Sequence, residues 1–122
     1  TYLQCLERHK LTNQSKGNGF GYEIRALDDI ANAIVTGGMG RERNLIIDKR
    51  LENFTPVTRI KGEVNREGIR CMTPREWARL QGFPDAFEIV VSDASAYKQF
   101  GNSVAISAVR ATAEKLIEKI LC

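Results

Sequence analysis

Chemistry-bearing side chains are scarce in this chain of 122 residues, which holds one histidine and three cysteines. His9 stands beside Lys10 with no acid partner near it in sequence, so a histidine-centred acid–base site has no support. Cys5, Cys71 and Cys122 are odd in number and lack metal-ligand spacing, which excludes a zinc site and fits reduced thiols in a cytosol. No apolar run approaches the roughly 20 residues that cross a bilayer, and no signal peptide is visible. The expectation is an intracellular, cytoplasmic protein. Excess charge is also missing, since 18 Lys+Arg against 15 Asp+Glu leave only +3, a balance compatible with DNA binding without arguing for it. There is no internal repeat and no low-complexity segment. A chain this small buries one modest core.

The basic residues that are present gather in the middle. Arg41, Arg43, Lys49, Arg50, Arg59, Lys61, Arg66, Arg70, Arg75 and Arg79 fall where a phosphate-facing surface can be assembled, or an ordinary solvated face. Ahead of them, Tyr2, Leu3 and Leu6 follow helical spacing and predict a short helix to about His9. Phe20, Tyr22 and Ile24 alternate with Gly21, Glu23 and Arg25, a period of two that predicts a strand. Ile34-Val35 and Leu45-Ile46-Ile47 predict two more, with further extended pieces near Phe54 to Ile60 and Ile69 to Met72. Gly17, Gly19 and Gly21 do not make a nucleotide fingerprint, because no strand precedes them, no helix follows and no Gly-Lys-Ser/Thr ending exists.

The helix after Met72 carries start and stop signals. Thr73 is a good N-cap, Pro74 fits the first turn, and Glu76 stands where a capping box needs it, with Met72 and Trp77 as a hydrophobic staple. Gly82 supplies a left-handed stop, Phe83 can fold back on Trp77 and Ala78, and Pro84 prevents continuation. Arg75 and Arg79, on one side of this helix, form a basic ridge, or pair with local acids. From Ser103 to Leu121, Ala105, Ala108, Val109, Thr112, Ala113, Leu116, Ile117 and Ile120 recur at three and four and predict a long amphipathic helix. Asn102 and Ser103 are its expected N-caps, and a helix start of this kind is an anion site.

Two blocks together are more specific than either alone. Arg70-Cys71-Met72-Thr73-Pro74-Arg75-Glu76-Trp77-Ala78-Arg79-Leu80-Gln81-Gly82-Phe83-Pro84-Asp85, followed by Gln99-Phe100-Gly101-Asn102-Ser103-Val104, resembles the last two ordered motifs of the DNA (cytosine-5) methyltransferases. In that family the first block supports the target-recognition domain, and the second returns the chain to the catalytic domain and completes the S-adenosylmethionine pocket. The resemblance implies an α+β fragment. Residues 1–90 would form a small, irregular β-rich recognition domain with one short helix. Residues 91–122 would supply a return segment and a C-terminal helix belonging to a Rossmann-like α/β methyltransferase domain.

The resemblance also implies what is elsewhere. The family's Gly-rich cofactor loop, Pro-Cys nucleophile and Glu-Asn-Val acid segment precede this region and are not found here. Methylating a cytosine ring carbon requires a cysteine thiolate at the neighbouring carbon and a base turned out of the duplex. Cys5, Cys71 and Cys122 do not fit that nucleophile, so no catalytic residue and no metal ligand is assigned to this chain. With Thr1 in place of a methionine, the expectation is the C-terminal third of an enzyme, cut from or separate from its catalytic half.

Carried over residue by residue, the resemblance assigns Asn102 and Ser103 to S-adenosylmethionine, with Gln99 and Val104 holding the turn. The expected partners are double-stranded DNA and the N-terminal catalytic half or subunit, with no membrane. The glycine loop is the place of a recognition loop entering the major groove, giving Lys16, Asn18, Phe20, Tyr22 and Arg25 as DNA-facing candidates. Phe20 and Tyr22 either fill the space vacated by the flipped base or are strand core. Gly37 to Arg43 is the second loop, with Arg41 and Arg43 able to reach guanines or phosphates; Arg75 and Arg79 complete the candidates. Just before this loop Ala33-Ile34 stands where family members often carry Thr-Leu. Restriction-modification is the expected setting. The alternatives are a non-catalytic sequence-specific DNA-binding module and part of a transfer-RNA cytosine-5 methyltransferase.

Overall fold

The computed structural model of the chain describes residues 2–19, 21–37, 40–48 and 68–122. They fall into two compact units, Thr1–Thr73 and Pro74–Cys122. Helices α1 (Tyr2–Ser15), α2 (Pro74–Leu80), α3 (Asp93–Asn102) and α4 (Ile106–Leu121) accompany strands β1 (Ile24–Arg25), β2 (Leu45–Ile47) and β3 (Ile69–Cys71). The fold is a small α+β arrangement with one three-stranded sheet.

In the first unit α1 runs past the expected end at His9 as far as Ser15. No glycine or proline interrupts that stretch, and its polar side chains bond within the helix: Thr12 Oγ1 donates to Arg8 O at 2.9 Å and Ser15 Oγ to Thr12 O at 2.8 Å. Gly17 ends it. At φ +76° it adopts the left-handed conformation, its N–H bonds Gln14 O at 3.0 Å, and Asn18 N–H bonds Asn13 O at 2.9 Å. This pair of reversed bonds is the Schellman cap, which satisfies the last carbonyls of the helix.

Strand β2 lies in the centre of the sheet, parallel to β1 and antiparallel to β3, with Leu45 opposite both Ile24 and Cys71. Leu45 is completely buried and meets Leu6 and Cys71, with Leu3, Tyr22 and Ile69 packed around them. A parallel pair needs a crossover between its strands. Residues 26–41 provide it, and Ile34-Val35, expected as a strand, belongs to this connection and pairs with no neighbour in the sheet. The strand expected from Phe20 shrinks to Ile24–Arg25, although Glu23 already bonds Glu42 O through its N–H and accepts from Leu45 N–H, both at 3.0 Å. The pieces expected at Phe54 to Ile60 lie outside the described residues. Within 1–90 the described residues carry two helices, α1 and α2, and short strands.

The second unit begins with α2, which spans the residues its start and stop signals bracket. Gly82, at φ +84°, closes a second Schellman cap: Gly82 N–H bonds Arg79 O at 2.9 Å and Phe83 N–H bonds Ala78 O at 2.9 Å. Helix α3 was not expected. Ser92 caps it, its side chain accepting from Ser95 N–H, and Ala96, Tyr97 and Phe100 are its buried residues. Trp77 packs edge-on against Tyr97 with centroids 4.9 Å apart, and Phe83, Phe87 and Phe100 form an aromatic triplet. Such pairs add about 0.5–1.5 kcal/mol beyond area burial. Helix α4 buries none of its residues.

Candidate functional site

The Gly101-Asn102-Ser103 turn differs from the sequence expectation in one consequential way. Asn102 is the last residue of α3 and Ser103 its C-cap, while α4 starts at Ile106 with Ala105 in the N-cap position. Asn102 and Ser103 therefore do not cap the long helix; they lie at the carbonyl end of a preceding one. Buried Tyr97 and Phe100 hold that segment helical, a tertiary effect that local cap propensity does not register. Ser103 bonds Phe100 O twice, through its N–H at 3.3 Å and its Oγ at 3.0 Å. The hydroxyl hydrogen is thus engaged, and the oxygen is left as an acceptor. The Asn102 side chain is exposed.

The same turn is gripped from α2. Gln81 Nε2 donates to Phe100 O at 2.9 Å and to Ser103 O at 3.4 Å, and its main-chain oxygen accepts from Ile106 N–H at 2.8 Å. Sequence reasoning assigned Gln81 no role, since nothing local shows that a residue at a helix end meets a turn about twenty positions later. A Cβ at Gly82 would stand 3.3 Å from Ile106 Cβ, so this seat needs glycine for closeness as well as for φ.

The glycine loop is tied down at its start and its end. Lys16 and Asn18 sit exposed on the α1 cap. Tyr22 packs against the core cluster, donates its hydroxyl to Glu7 Oε2 at 2.7 Å, and lies under Lys10 Nζ at 5.2 Å from the ring centroid. The Glu7 hydrogen bond pushes its phenol above the usual range. Phe20 lies outside the described residues. Arg25 pairs with Glu23 and donates from Nη2 to Asn32 Oδ1 at 3.0 Å.

Asn32 is the centre of a wider network. Its Nδ2 donates to Glu23 Oε2 and Arg43 O, both at 2.9 Å, and the first of these bonds, ahead of nearby cations, holds the Glu23 carboxyl below its usual range. Its main chain is clamped by fully buried Asn44, which accepts Asn32 N–H at 2.7 Å and donates Nδ2 to Asn32 O at 3.1 Å. An asparagine here imitates a strand neighbour and fixes the crossover against the sheet. Arg41 then projects exposed from the residue before the Glu42–Asn44 3-10 turn, with Arg43 half-buried in it.

Other cations are engaged inside their own units. Arg70 is buried, pairs with Asp48 at 2.6 Å and bonds Cys71 O at 3.1 Å, so it is withdrawn from the phosphate-facing set expected of it. Arg79 forks onto Asp85 at 2.7 and 3.1 Å, and that hydrogen bonding raises the arginine and lowers the carboxyl. Arg75 Nη2 donates to Phe87 O at 2.7 Å. Lys49, Arg50, Arg59, Lys61 and Arg66 lie outside the described residues. Burial pushes the Cys71 thiol up to about 11, so at neutral pH it is protonated and a poor nucleophile. Among the described residues no group of three or more His, Cys, Asp or Glu is placed to hold a metal, and no helix is long and apolar enough to cross a membrane.

Comparison with known proteins matches the sequence to a family. The family model for C-5 cytosine-specific DNA methylase matches residues 2–118. The type II methyltransferase M.HpaII of Haemophilus parainfluenzae is 71% identical over 98% of this chain and 33% of its own length. Type II methyltransferase M1.ScrFI of Lactococcus lactis subsp. cremoris is 38% identical over 92% of the chain and 25% of its own. The DNA-cytosine methyltransferase of Escherichia coli K12 is 33% identical over 94% and 26%. The chain thus spans a quarter to a third of these relatives.

Proposed function

The chain belongs to the C-5 cytosine-specific DNA methylase family, and from that we propose that it is the DNA-recognition and cofactor-pocket-completing part of an S-adenosylmethionine-dependent DNA cytosine-5 methyltransferase. Residues 1–90 serve recognition, and residues 91–122 return to a Rossmann-like catalytic domain of which α4 is a helix. The nucleophilic cysteine comes from the N-terminal part of the enzyme, in the same or another polypeptide. The setting is the bacterial restriction-modification role that the type II relatives' names carry.

One observation carries this reading most of all. Helix α4 buries no residue, yet Val109, Leu116, Ile117 and Ile120 form an apolar stripe along it. A face of this kind stabilises a protein only when covered. With two thirds of M.HpaII lying outside the matched region, the covering surface is the catalytic domain.

The turn before α4 fits the methionine end of the cofactor. An α-amino acid is a zwitterion, and here the negative end of α3 and the positive end of α4 meet across Ser103–Ala105. Ser103 Oγ accepts from the ammonium, the Asn102 amide offers donor and acceptor together, and the carboxylate lies toward the positive end of α4, whose Ile106 N–H is already taken by Gln81 O. When bound, S-adenosylmethionine supplies the methyl group; this chain's part is to hold and orient it. On the recognition side Lys16, Asn18, Arg41 and Arg43 reach double-stranded DNA. Arg25 and Tyr22 support the loops from within. Arg75 and Arg79 shape the loop after α2, and Arg79 keeps a distance-dependent attraction for phosphate.

Transfer of tritiated methyl groups to DNA tests the proposal. The purified chain alone should give background, and activity should appear when it is joined to or mixed with the catalytic part. Methylation by the chain alone, persisting after replacement of Cys5, Cys71 and Cys122, refutes it.

A further inference from the structure

Gln81 occupies the C-cap of α2, where helix carbonyls normally lack partners. The Gly82 cap satisfies the carbonyls of Ala78 and Arg79 and leaves the Gln81 carbonyl aimed away from the helix, where Ile106 N–H, the first donor of α4, meets it at 2.8 Å. The side chain extends the same grip. An amide nitrogen carries two hydrogens, and Nε2 places them on Phe100 O at 2.9 Å and Ser103 O at 3.4 Å, the two carbonyls that flank Gly101-Asn102. Three points of one turn, at positions 100, 103 and 106, are therefore fixed by a single residue.

The planarity of the peptide gives this grip a direction. In a trans peptide the carbonyl and the next N–H point oppositely. Holding Ser103 C=O toward Gln81 thus aims Val104 N–H away from it, while Gly101 N–H belongs to α3. The donors of the turn are set by where Gln81 pulls its acceptors.

We propose that Gln81 is a positioning residue for the cofactor turn, setting the orientation in which Asn102, Ser103 and the neighbouring N–H groups meet the methionine end of S-adenosylmethionine. The proposal rests on the cofactor reading of that turn given above. It assigns Gln81 no contact with the cofactor. Its effect is on cofactor affinity through the turn, and not on DNA.

Calorimetric titration of S-adenosylmethionine into the assembled enzyme, each variant held below its own melting temperature, tests this. Gln81→Met keeps length and removes both donors, while Gln81→Lys keeps donors at similar reach. Two hydrogen bonds of ordinary net strength correspond to about a tenfold rise in the cofactor Kd for Gln81→Met. Gln81→Lys should remain within about threefold of wild type, and the DNA Kd should not move in either. Asn102→Ala is measured alongside. If Asn102→Ala weakens cofactor binding while Gln81→Met only melts lower, Gln81 is a structural tie and the proposal is overturned. If Asn102→Ala also binds as wild type, the cofactor reading itself falls. Should Gln81→Met fail to assemble, Gln81→Lys and Gln81→Glu decide the matter, since equal affinities for a donor and an acceptor overturn the proposal.

Discussion

Asn44→Ala is the substitution to which the first unit, Thr1–Thr73, should respond most sharply. The side chain is fully buried and makes two bonds to the main chain of Asn32, accepting at 2.7 Å and donating at 3.1 Å. Truncation removes both, at a net of about 0.5–1.5 kcal/mol each, and strands an N–H and a C=O whose full desolvation penalty is about 1–3 kcal/mol apiece. Asn32 is only half-buried, so water recovers part of that penalty, and the expected local cost is roughly 2–3 kcal/mol. Hydrogen exchange on the assembled enzyme reads it directly: protection of the Asn32 amide and of residues 26–35 should fall about 30- to 150-fold, with little change in α2 and α3. Asn44→Asp supplies a control. It keeps an acceptor for Asn32 N–H but sets a buried carboxylate against Asn32 O, which raises its folded pKa above the unfolded value near 3.9. A carboxyl with a raised folded pKa stabilises below the unfolded pKa and loses that contribution as pH rises, so the Asp variant should approach wild type on acidification while the Ala variant does not. Protection within about threefold of wild type for Asn44→Ala would show that the network does not hold the crossover.

In the assembled enzyme, Arg41→Ala or Arg43→Ala should cost about 1–3 kcal/mol at a single base position if the residue reads a guanine, or weaken all sequences alike and flatten the salt dependence if it holds phosphate; unchanged binding across sequences and salt removes that loop from the interface. Cys71, with its thiol pushed from 9.0 to about 11, stabilises the fold fully below pH 9 and loses that contribution as pH rises toward 11. Urea melts should show roughly 1 kcal/mol lost between pH 9 and 10 that Cys71→Ser or Cys71→Ala does not show. Charged residues at Val109 or Leu116, both about half exposed on α4, should abolish co-purification with the catalytic part and with it cofactor binding; assembly at wild-type yield would remove this face from the interface.

Elements whose signals are local were legible in the sequence. The start and stop of α2 stand in consecutive residues, and β2 announces itself as an apolar triple that becomes the centre of the sheet. What escaped depends on distant partners. Helix α3 contains Gly101 and polar residues throughout, so its amphipathic face emerges only when Tyr97 and Phe100 find Trp77 and Phe83. Asn102 and Ser103 look like N-caps because asparagine and serine are good ones, and the tertiary burial of Phe100 converts the same residues into a helix end. Arg70 and Asp48 are 22 positions apart, Asn44 and Asn32 twelve; the polar residue types permit such bonds without naming them.

Two of the left-handed glycines, Gly17 and Gly82, which end helices, connect these levels. A Schellman cap reverses the chain and fixes its exit direction from the last turn of a helix, because two bonds and one positive φ determine the path. Gly17 does this for α1, and the residues it releases are Asn18 and the loop that runs to Tyr22 and β1. Gly82 does it for α2, and the exit is aimed so that Gln81 faces the turn between α3 and α4. In both places a candidate functional segment leaves a helix whose end is fixed by two reversed bonds. Function on a loop needs an anchored starting point, since a displacement of the loop's root moves every contact beyond it. Among the alternating glycines, Gly17 thus contributes a helix terminator, and the direction in which the chain leaves α1 follows from how that helix ends.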